Sequence, residues 1–253
     1  LLLLSSKINN YSDVQKLLDR KADYKYVQMD PFLRSNNLGI FFYANFLKNH
    51  KDVYKIKNFK VYFFEILFFK LASIFLTRIT WKIFNKFFIF LNTKKIRKID
   101  IHNFFFSSKY KHLIPYLCKD GLLDYEILVK KNLTEILKKI NELLLDNDLY
   151  PIYFIIKKLH KSKKNYFYSF NNNGFSMAIA FDRRNLDIRK REIIKAFIKK
   201  HNLEINICKT DSLLINKFNK KILKKIKMSS NNSFMSVFKF KLINYIKQTQ
   251  HPK

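Results

Sequence analysis

The side chains that could carry chemistry in this chain are widely separated. The two cysteines, Cys118 and Cys208, form no Cys-x-x-Cys pair, and no two histidines have metal-ligand spacing. This pattern predicts a reducing compartment and argues against structural zinc, so we expect no metal. The three glycines, Gly39, Gly121 and Gly174, are not clustered. The sequence therefore contains no glycine-rich loop whose backbone amides could cradle a phosphate closely.

A large excess of positive charge runs along the whole sequence. Its 50 Lys and Arg residues outnumber 19 Asp and Glu residues, and the net charge is +31. Such a charge favours an anionic partner, either nucleic acid or an anionic membrane surface. The excess is spread evenly, however, and 27 Phe beside 3 Gly is also the composition that an A/T-biased coding sequence produces. Both origins of the charge stay open.

The most apolar stretch, residues 61–77, raises the question of a membrane. It is about as long as the shortest spanning helix, ~17 residues. It contains Glu65 and Lys70, each of which costs up to roughly 2.5–3.5 kcal/mol near a bilayer centre. We therefore expect no spanning helix there, while peripheral contact with a membrane stays open. The opening run Leu1–Leu4 is too short for a signal peptide, which predicts a cytoplasmic location.

The first half of the chain has mixed patterns. Residues 13–18 predict a short helix, and residues 24–30 predict an extended segment. Polar residues recur at helical spacing between residues 78 and 88 (Arg78, Lys82 and Asn85/Lys86), and apolar residues lie on the opposite side of the helix (Ile79, Ile83, Phe84, Phe87 and Phe88). This pattern predicts an amphipathic helix that packs on a core and turns its lysines to solvent.

The second half predicts an α+β fold. Strands are expected at residues 122–129, 151–156, 175–181 and 203–208, with helices that begin after Asn132 and Asp187. Glu135 follows Asn132 by three residues, which predicts a capping box. The order β-α-β-β-α-β is that of a ferredoxin-like layer with flanking helices. One face of such a sheet is covered by its two helices, and the other can face a ligand or another domain.

Several short motifs follow one another in a fixed order. Residues 175–181 read FSMAIAF after Asn-Gly, and residues 205–209 read INICK, with Lys209 nine residues before Phe218. Before them lie YVQMD (26–30), DGLLDYE (120–126) and FIIKKL (154–159), and after them FMSVFKFKL (234–242). In this order the motifs resemble the C-terminal part of decaprenylphosphoryl-ribose oxidases and of related FAD-linked oxidases, including sugar-lactone oxidases. The set spans most of the chain.

This resemblance implies an oxidase that passes hydride from a sugar hydroxyl to FAD. Lys209 matches the family's lysine between flavin and substrate, which makes it the implied catalytic and cofactor-binding residue. Lys158 matches a lysine that lines the substrate pocket, where an ammonium could serve a phosphate as a point charge. Tyr116 and Tyr125 are candidate pocket aromatics, and core packing is the alternative role for both.

Other positions depart from the family pattern. Asp124 and Glu126 stand where the family has neutral Gln, and Ser176 and Ala178 replace an Asn and a Cys. We retain Glu126 and Ser176 as candidate substrate-binding residues. Carboxylates would repel the expected anionic substrate, so its identity stays open. The substrate class that the resemblance implies is a polyprenyl-phosphate-linked pentose or a related sugar.

The resemblance also implies that most of the flavin-binding domain is missing. Residues 1–50 would be its remnant, residues 51–120 a helical and irregular part of the substrate domain, and residues 121–253 the β-α-β-β-α-β substrate domain and its tail. We therefore expect this chain to bind FAD weakly or not at all. It would work with an FAD-binding N-terminal half, in the same or a separate chain.

Two other classes of function compete with the oxidase. A basic RNA-binding or organellar ribosomal-type protein is favoured by Lys runs such as residues 220–227, and it predicts binding with a steep salt dependence. A membrane-associated structural protein would be anchored through residues 61–91. The oxidase and membrane hypotheses overlap, because a polyprenyl-phosphate substrate lies at a membrane and a Lys-rich surface favours anionic lipid.

Overall fold

The protein is an α+β structure built on one antiparallel sheet. The computed structural model describes residues 1–30, 32, 38–46, 63–75, 77–93, 96–98, 116–118, 120–161, 170 and 172–206. Within these ranges the strands are β1 (Leu2–Ile8), β2 (Tyr24–Met29), β3 (Gly39–Asn45), β4 (Ile96–Lys98), β5 (Leu122–Val129), β6 (Tyr153–Leu159), β7 (Gly174–Asp182) and β8 (Glu204–Ile205). The helices are α1 (Tyr11–Asp19), α2 (Phe63–Ile74), α3 (Arg78–Asn92), α4 (Leu133–Asp146) and α5 (Ile188–Lys200), with a 3₁₀ turn at Arg183–Asn185.

The eight strands lie in the order β4-β1-β3-β2-β6-β7-β5-β8, and every neighbouring pair is antiparallel. The order is symmetric about its centre, because β1 to β4 on one side correspond to β5 to β8 on the other. β2 and β6 meet there through two paired positions, Val27 with Ile156 and Gln28 with Ile155. The sequence did not predict this repeat, nor that the strands of residues 2–45 would share a sheet with those of residues 122–205.

The main core lies on one face of the sheet. Alternate residues of β5 and β7 point into it, including Tyr125, Ile127, Met177 and Ile179, as expected from the two-residue period of a strand. Helices α1, α4 and α5 cover this face with apolar stripes (Val14, Leu17 and Leu18; Leu133, Ile136, Leu137, Ile140 and Leu144; Ile194 and Ile198), and α1 packs on α4. We call this side of the sheet the core face.

The opposite face of the sheet, here called the second face, is partly covered by α2 and α3. Ile89 of α3 packs against Ile40 and Phe42 of β3. Trp81 packs with Leu117 and Ile152, and its indole nitrogen donates to the carbonyl of Pro151 at 3.1 Å. The two helices thus lie across the sheet from α1, α4 and α5.

Arg184 connects α2 to the end of β7. Its guanidinium donates to both carboxylate oxygens of the fully buried Asp182. It also donates to the carbonyls of Ser73, at 3.4 Å, and Leu117, at 3.0 Å. Because a buried carboxylate needs such a partner, the ion pair and the position of α2 depend on each other.

The structure confirms most of the predicted elements of the second half and corrects two details. Asp187 caps α5 through the backbone N–H of Lys190, as expected. Asn132 does not cap α4 with its side chain, because its backbone is left-handed at φ 56°, so the predicted capping box is wrong. Glu135 pairs with Lys139 instead. Beyond Asn206, the predicted strand 203–208 lies outside the described residues.

The prediction for α3 was right about the helix and wrong about its orientation. Its buried face carries Trp81, Asn85 and Ile89, while Ile79 and Ile83 are exposed. Apolar residues surround this helix on several sides, so its period did not identify the face that the sheet covers. In the described part of the chain, no helix combines the length and the apolarity needed to cross a membrane.

Gly39 provides a test of the pairing between β2 and β3. A Cβ atom there would lie 2.2 Å from the carbonyl oxygen of Gln28, and the residue has φ of +153°. We expect Gly39→Ala to lower the free energy of unfolding by about 3 kcal/mol, since it adds steric overlap to backbone strain. Chemical denaturation followed by circular dichroism would measure the loss.

Gly121 is the matched control for this change. It also has a positive φ, +84°, but a Cβ atom there meets nothing within 4 Å. Gly121→Ala should therefore cost only about 1 kcal/mol, from backbone conformation alone. Equal losses in the two variants would show that the close approach of Gly39 to β2 is not important for stability.

Candidate substrate site

The second face carries a row of partly exposed residues that crosses the centre of the sheet. Strand register places Glu126 opposite Ala178, Ala178 opposite Ile155, and Ile155 opposite Gln28. Residues that are directly opposite in paired strands share a face. The small side chain of Ala178 therefore lies between the carboxylate of Glu126 and the apolar side chain of Ile155, and leaves space above the sheet.

Glu126 is the centre of a hydrogen-bonded polar cluster. Its Oε1 accepts from the hydroxyl of Ser176 at 2.9 Å, and its Oε2 accepts from the amide of Asn206 at 2.6 Å. Ser176 and Asn206 are both buried. These donors fix the orientation of a half-buried carboxylate.

Asp124 and Tyr153 form a second polar pair on the same face. The tyrosine hydroxyl donates to Oδ1 of Asp124 at 2.6 Å. Burial raises the pKa of Tyr153 strongly, and the charge of Asp124 and the hydrogen bond to it raise it further. The phenol is therefore a stable neutral donor over the physiological pH range.

A basic groove opens where β2 and β6 separate. Beyond the two paired positions at their junction, the strands provide opposite walls, and the groove has a volume of about 420 Å³. Three lysines and a histidine line it (Lys25, Lys157, Lys158 and His160), together with Tyr24 and Tyr26. Among the described residues that line it, Asp23 is the one acidic residue. The wall thus offers cations and aromatic rings to an anionic ligand.

An apolar cavity of about 450 Å³ lies between the second face and helices α2 and α3. Aromatic and aliphatic side chains form most of its wall (Phe68, Phe69, Ala72, Phe75, Trp81, Phe84, Phe88, Leu117, Ile152 and Ile155). Gln28 and Ile155 line both this cavity and the basic groove. Tyr153 also lines the cavity, and its hydrogen bond to Asp124 connects the cavity to the polar residues of β5.

The structure brings together only some of the residues predicted from sequence. Glu126 and Ser176 are hydrogen-bonded partners. Lys158 lines the basic groove, but its ammonium contacts Asp19 at 2.5 Å, at the end of α1. Tyr125 lies in the core with 2% of its surface exposed, against Phe181, so it is not a pocket aromatic.

Two further predicted residues lie elsewhere. The ring of Tyr116 is 5.6 Å from the ammonium of Lys70 on α2, away from the row on the second face. Lys209, the implied catalytic and cofactor-binding residue, falls outside the described residues, and its role stays a prediction.

Sequence reasoning overlooked Tyr153, Gln28 and Asn206 as site residues. The signal for Tyr153 was present in the alternation of β6, where residues 154 and 156 face the core and residues 153, 155 and 157 face the other way. The position of Gln28 depends on the pairing of β2 with β6, a contact between strands more than 120 residues apart that no local pattern encodes.

No protein-family model matches this chain, and no curated protein matches it. The resemblance to FAD-linked oxidases therefore remains an expectation from short motifs. The groove, the cavity and the polar residues between them are independent grounds for a functional proposal.

Tyr26 provides a pH test of the groove wall. Its ring stacks on Phe42 with 5.0 Å between centroids, and burial raises its pKa to about 12. An unfolded tyrosine ionises near pH 10. Its contribution to stability should thus be complete below pH 10 and disappear as the pH approaches 12.

We expect wild-type protein to lose about 2 kcal/mol more unfolding free energy than Tyr26→Phe between pH 9 and pH 11.5. Denaturant titrations of both proteins at each pH would measure the difference, in which the titration of other groups cancels. Parallel curves would mean that the Tyr26 hydroxyl is hydrated in the folded protein.

Proposed function

We propose that this chain is the substrate-binding part of an FAD-dependent oxidoreductase that oxidises a hydroxyl of a sugar carried on a polyprenyl phosphate. The observation that carries the proposal is that three surfaces share wall residues. Gln28 and Ile155 line both the basic groove and the apolar cavity, and Tyr153 lines the cavity and binds Asp124 of the polar pair. A lipid-linked sugar phosphate has these same three chemical parts. The redox half of the proposal depends on the motif resemblance.

The polar cluster suits sugar hydroxyls. Carboxylates accept hydrogen bonds only, and those of Glu126 and Asp124 are each oriented by a protein donor. Tyr153 and Ser176 can also accept a bond from a ligand hydroxyl with their remaining lone pairs. Ala178 leaves room beside these groups. A neutral polyol is thus a better ligand for this region than an anion.

The basic groove suits the phosphate. Lys157 pairs in register with Ser176 on β7, so it lies next to the polar cluster on the second face. Lys158, the next residue of β6, has its ammonium on Asp19, and a phosphate would compete with that carboxylate. Ammonium groups on flexible stems act as point charges for such an anion.

The arrangement of the second half supports a ferredoxin-like unit. Strands β6-β7-β5-β8 have the expected order, and α4 and α5 both cover the core face. The first half repeats the strand order, but its connection through α2 and α3 crosses the second face. We propose that the repeat is a pair of such units. In the first unit, α2 and α3 lie on the second face, where they cover a ligand site.

The described residues do not themselves fit a flavin. Gly39 and Gly174 each face neighbouring backbone. A Cβ atom on Gly39 would lie 2.2 Å from the carbonyl oxygen of Gln28, and one on Gly174 would lie 2.7 Å from that of Val129. Neither can therefore open to a pyrophosphate, and the surroundings of Gly121 contain no second glycine. FAD would be held by an N-terminal half outside these residues. The role proposed for this chain is to bind and orient the sugar.

We also propose that the protein is peripheral at an anionic membrane. Among described residues, twelve of the fifteen large apolar side chains that are exposed lie on α2, α3 and the turn between them (Phe63, Phe64, Leu67, Phe68, Leu71, Ile74, Phe75, Ile79, Ile83, Phe84, Phe90 and Leu91). A patch of this size marks an interaction surface. Lys82 and Lys86 of α3 are exposed beside Ile79 and Ile83. Lysines next to exposed apolar residues suit anionic headgroups.

Calorimetry with a ribofuranosyl phosphodiester of decanol would test the substrate proposal. Lys157→Met and Lys158→Met should each weaken binding by about tenfold, since each removes a charge-assisted contact. Lys161→Met is the matched control, because Lys161 follows the same strand but does not line the groove. Glu126→Gln should remove most of the preference for this ligand over decyl phosphate.

Equal binding of decyl phosphate and its ribosyl derivative by the wild type would contradict sugar recognition. Tight binding of RNA with a steep salt dependence, and no binding of the lipid, would favour the RNA-binding alternative instead. A purified chain that retained stoichiometric flavin would contradict the proposal that FAD is held by another segment or chain.

Sedimentation with lipid vesicles would test the membrane proposal. Binding to vesicles of phosphatidylglycerol and phosphatidylcholine should exceed binding to phosphatidylcholine alone, and should fall as salt rises. Phe64, whose surface is 79% exposed, should insert into the lipid. Phe64→Ser should weaken binding by at least about tenfold, from the lost burial of the ring.

Ile188→Ser is the control for the vesicle experiment. Ile188 is 73% exposed, but it begins α5 on the other side of the sheet. Its replacement should leave vesicle binding unchanged. Equal loss in both variants, or no binding of the wild type, would mean that another protein or another part of this chain covers the exposed side of α2 and α3.

A further inference from the structure

We propose that the apolar cavity beneath α2 and α3 binds a long apolar chain that carries a neutral oxygen acceptor, and that the side-chain amide of Asn85 donates to this oxygen. The inference depends on the proposed function only in one respect: it equates the ligand's apolar chain with the lipid part of the sugar substrate. The site itself follows from the contacts of Asn85 and of the residues around it.

The size and wall of the cavity define the class of ligand. Its volume of about 450 Å³ lies within the range of small-molecule pockets. Phenylalanine, tryptophan and aliphatic side chains make up most of the wall, and among the described residues no Lys, Arg, Asp or Glu lines it. A charged ligand would have to lose its hydration there without gaining a partner. A hydrocarbon chain loses nothing comparable.

Asn85 indicates a polar atom on that ligand. It lies in the middle of α3 with 7% of its surface exposed, and it lines the cavity. Within the described residues, its Nδ2 has no hydrogen-bond partner. Buried amide donors in folded proteins almost always have an acceptor. An ester, ether or alcohol oxygen of a ligand would supply the missing acceptor.

A purely structural role for Asn85 would predict a different arrangement. A helix that only needed to cover the sheet would carry an apolar residue between Trp81 and Ile89, the other buried residues of its inner face. Asparagine is also a poor helix former. Both considerations make a ligand acceptor the better explanation.

The wall residues that the cavity and the groove share give the ligand a direction. Gln28 and Ile155 line both spaces, so a head group in the groove can continue into a chain in the cavity. The chain would then pass Asn85 and extend between Phe68 and Phe75 of α2 and the turn that follows it. The exposed apolar side of the same helices would lie toward the membrane that supplies the lipid.

Trp81 provides a direct signal for this site. It is the single tryptophan of the chain, and it lines the cavity with 7% of its surface exposed. A nitroxide-labelled methyl stearate, added without vesicles, should quench its fluorescence in a saturable manner. Unlabelled methyl palmitate and farnesyl acetate would compete with the probe. Their relative affinities would show whether the site prefers a straight acyl chain or an isoprenoid one.

Two variants separate the hydrogen bond from the cavity. Asn85→Leu keeps the volume and removes the donor, so it should weaken the labelled ester about tenfold and leave a nitroxide-labelled alkane unchanged. Ala72→Phe fills the space under α2 and should abolish quenching by both probes. Asn141→Leu is the matched asparagine-to-leucine control, since Asn141 lies on α4 at the core face and does not line the cavity, and it should change neither affinity.

The proposal would be overturned by quenching that never saturates, by an unchanged response in Ala72→Phe, or by equal affinities of wild type and Asn85→Leu for the ester. Near-ultraviolet circular dichroism would confirm that each variant is folded. The probes carry neither phosphate nor sugar, so their binding does not require the basic groove or a flavin. A failed calorimetric test of the sugar ligand would leave this site intact, and the reverse also holds.

Discussion

The short pairing between β2 and β6 is the contact on which the remaining structure depends. Only Val27 with Ile156 and Gln28 with Ile155 are paired there, yet these two positions join four strands to four. Beyond this short ladder, residues of both strands line the basic groove. A longer ladder would strengthen the junction and close the space between Tyr26 and Lys157.

The junction also gives the two faces of the sheet different properties. On the core face, α1 and α4 pack on each other across the junction, so burial of apolar surface strengthens the weak pairing. On the second face, α2 and α3 leave a cavity, and most of their own apolar surface stays exposed. Stability thus comes mainly from one face. The other can hold a ligand without weakening the main core.

Local patterns were sufficient for the elements of the second half and insufficient for their assembly. The two-residue period of β5 and β7 and the cap at Asp187 were visible in the sequence, because each depends on neighbouring residues. The repeat of the first half was not, since its strands carry different side chains and its α2–α3 connection crosses the other face. The face of α3 was misassigned because apolar residues surround it.

The candidate site was predictable only in part for the same reason. Motif resemblance selected Glu126 and Ser176, and strand register makes them hydrogen-bonded partners. It also selected Tyr125, one residue from Glu126, which points into the core because successive side chains of a strand alternate. A motif match cannot decide between neighbouring residues unless the face of the strand is known. The cavity needed the full three-dimensional arrangement, since its wall combines α2, α3, β2 and β6.

Charge along the row on the second face would orient a ligand that carries both an anionic group and hydroxyl groups. The carboxylate of Glu126 lies on β5 and the groove begins at β6, two strand spacings away, or about 10 Å. An anion is repelled at the first end and attracted at the second, while hydroxyl donors have the opposite preference. A ligand with both groups can therefore lie across the strands in one direction only. Because Gln28 and Ile155 line both the cavity and the groove, the apolar chain of the proposed ligand would be attached on its anionic side.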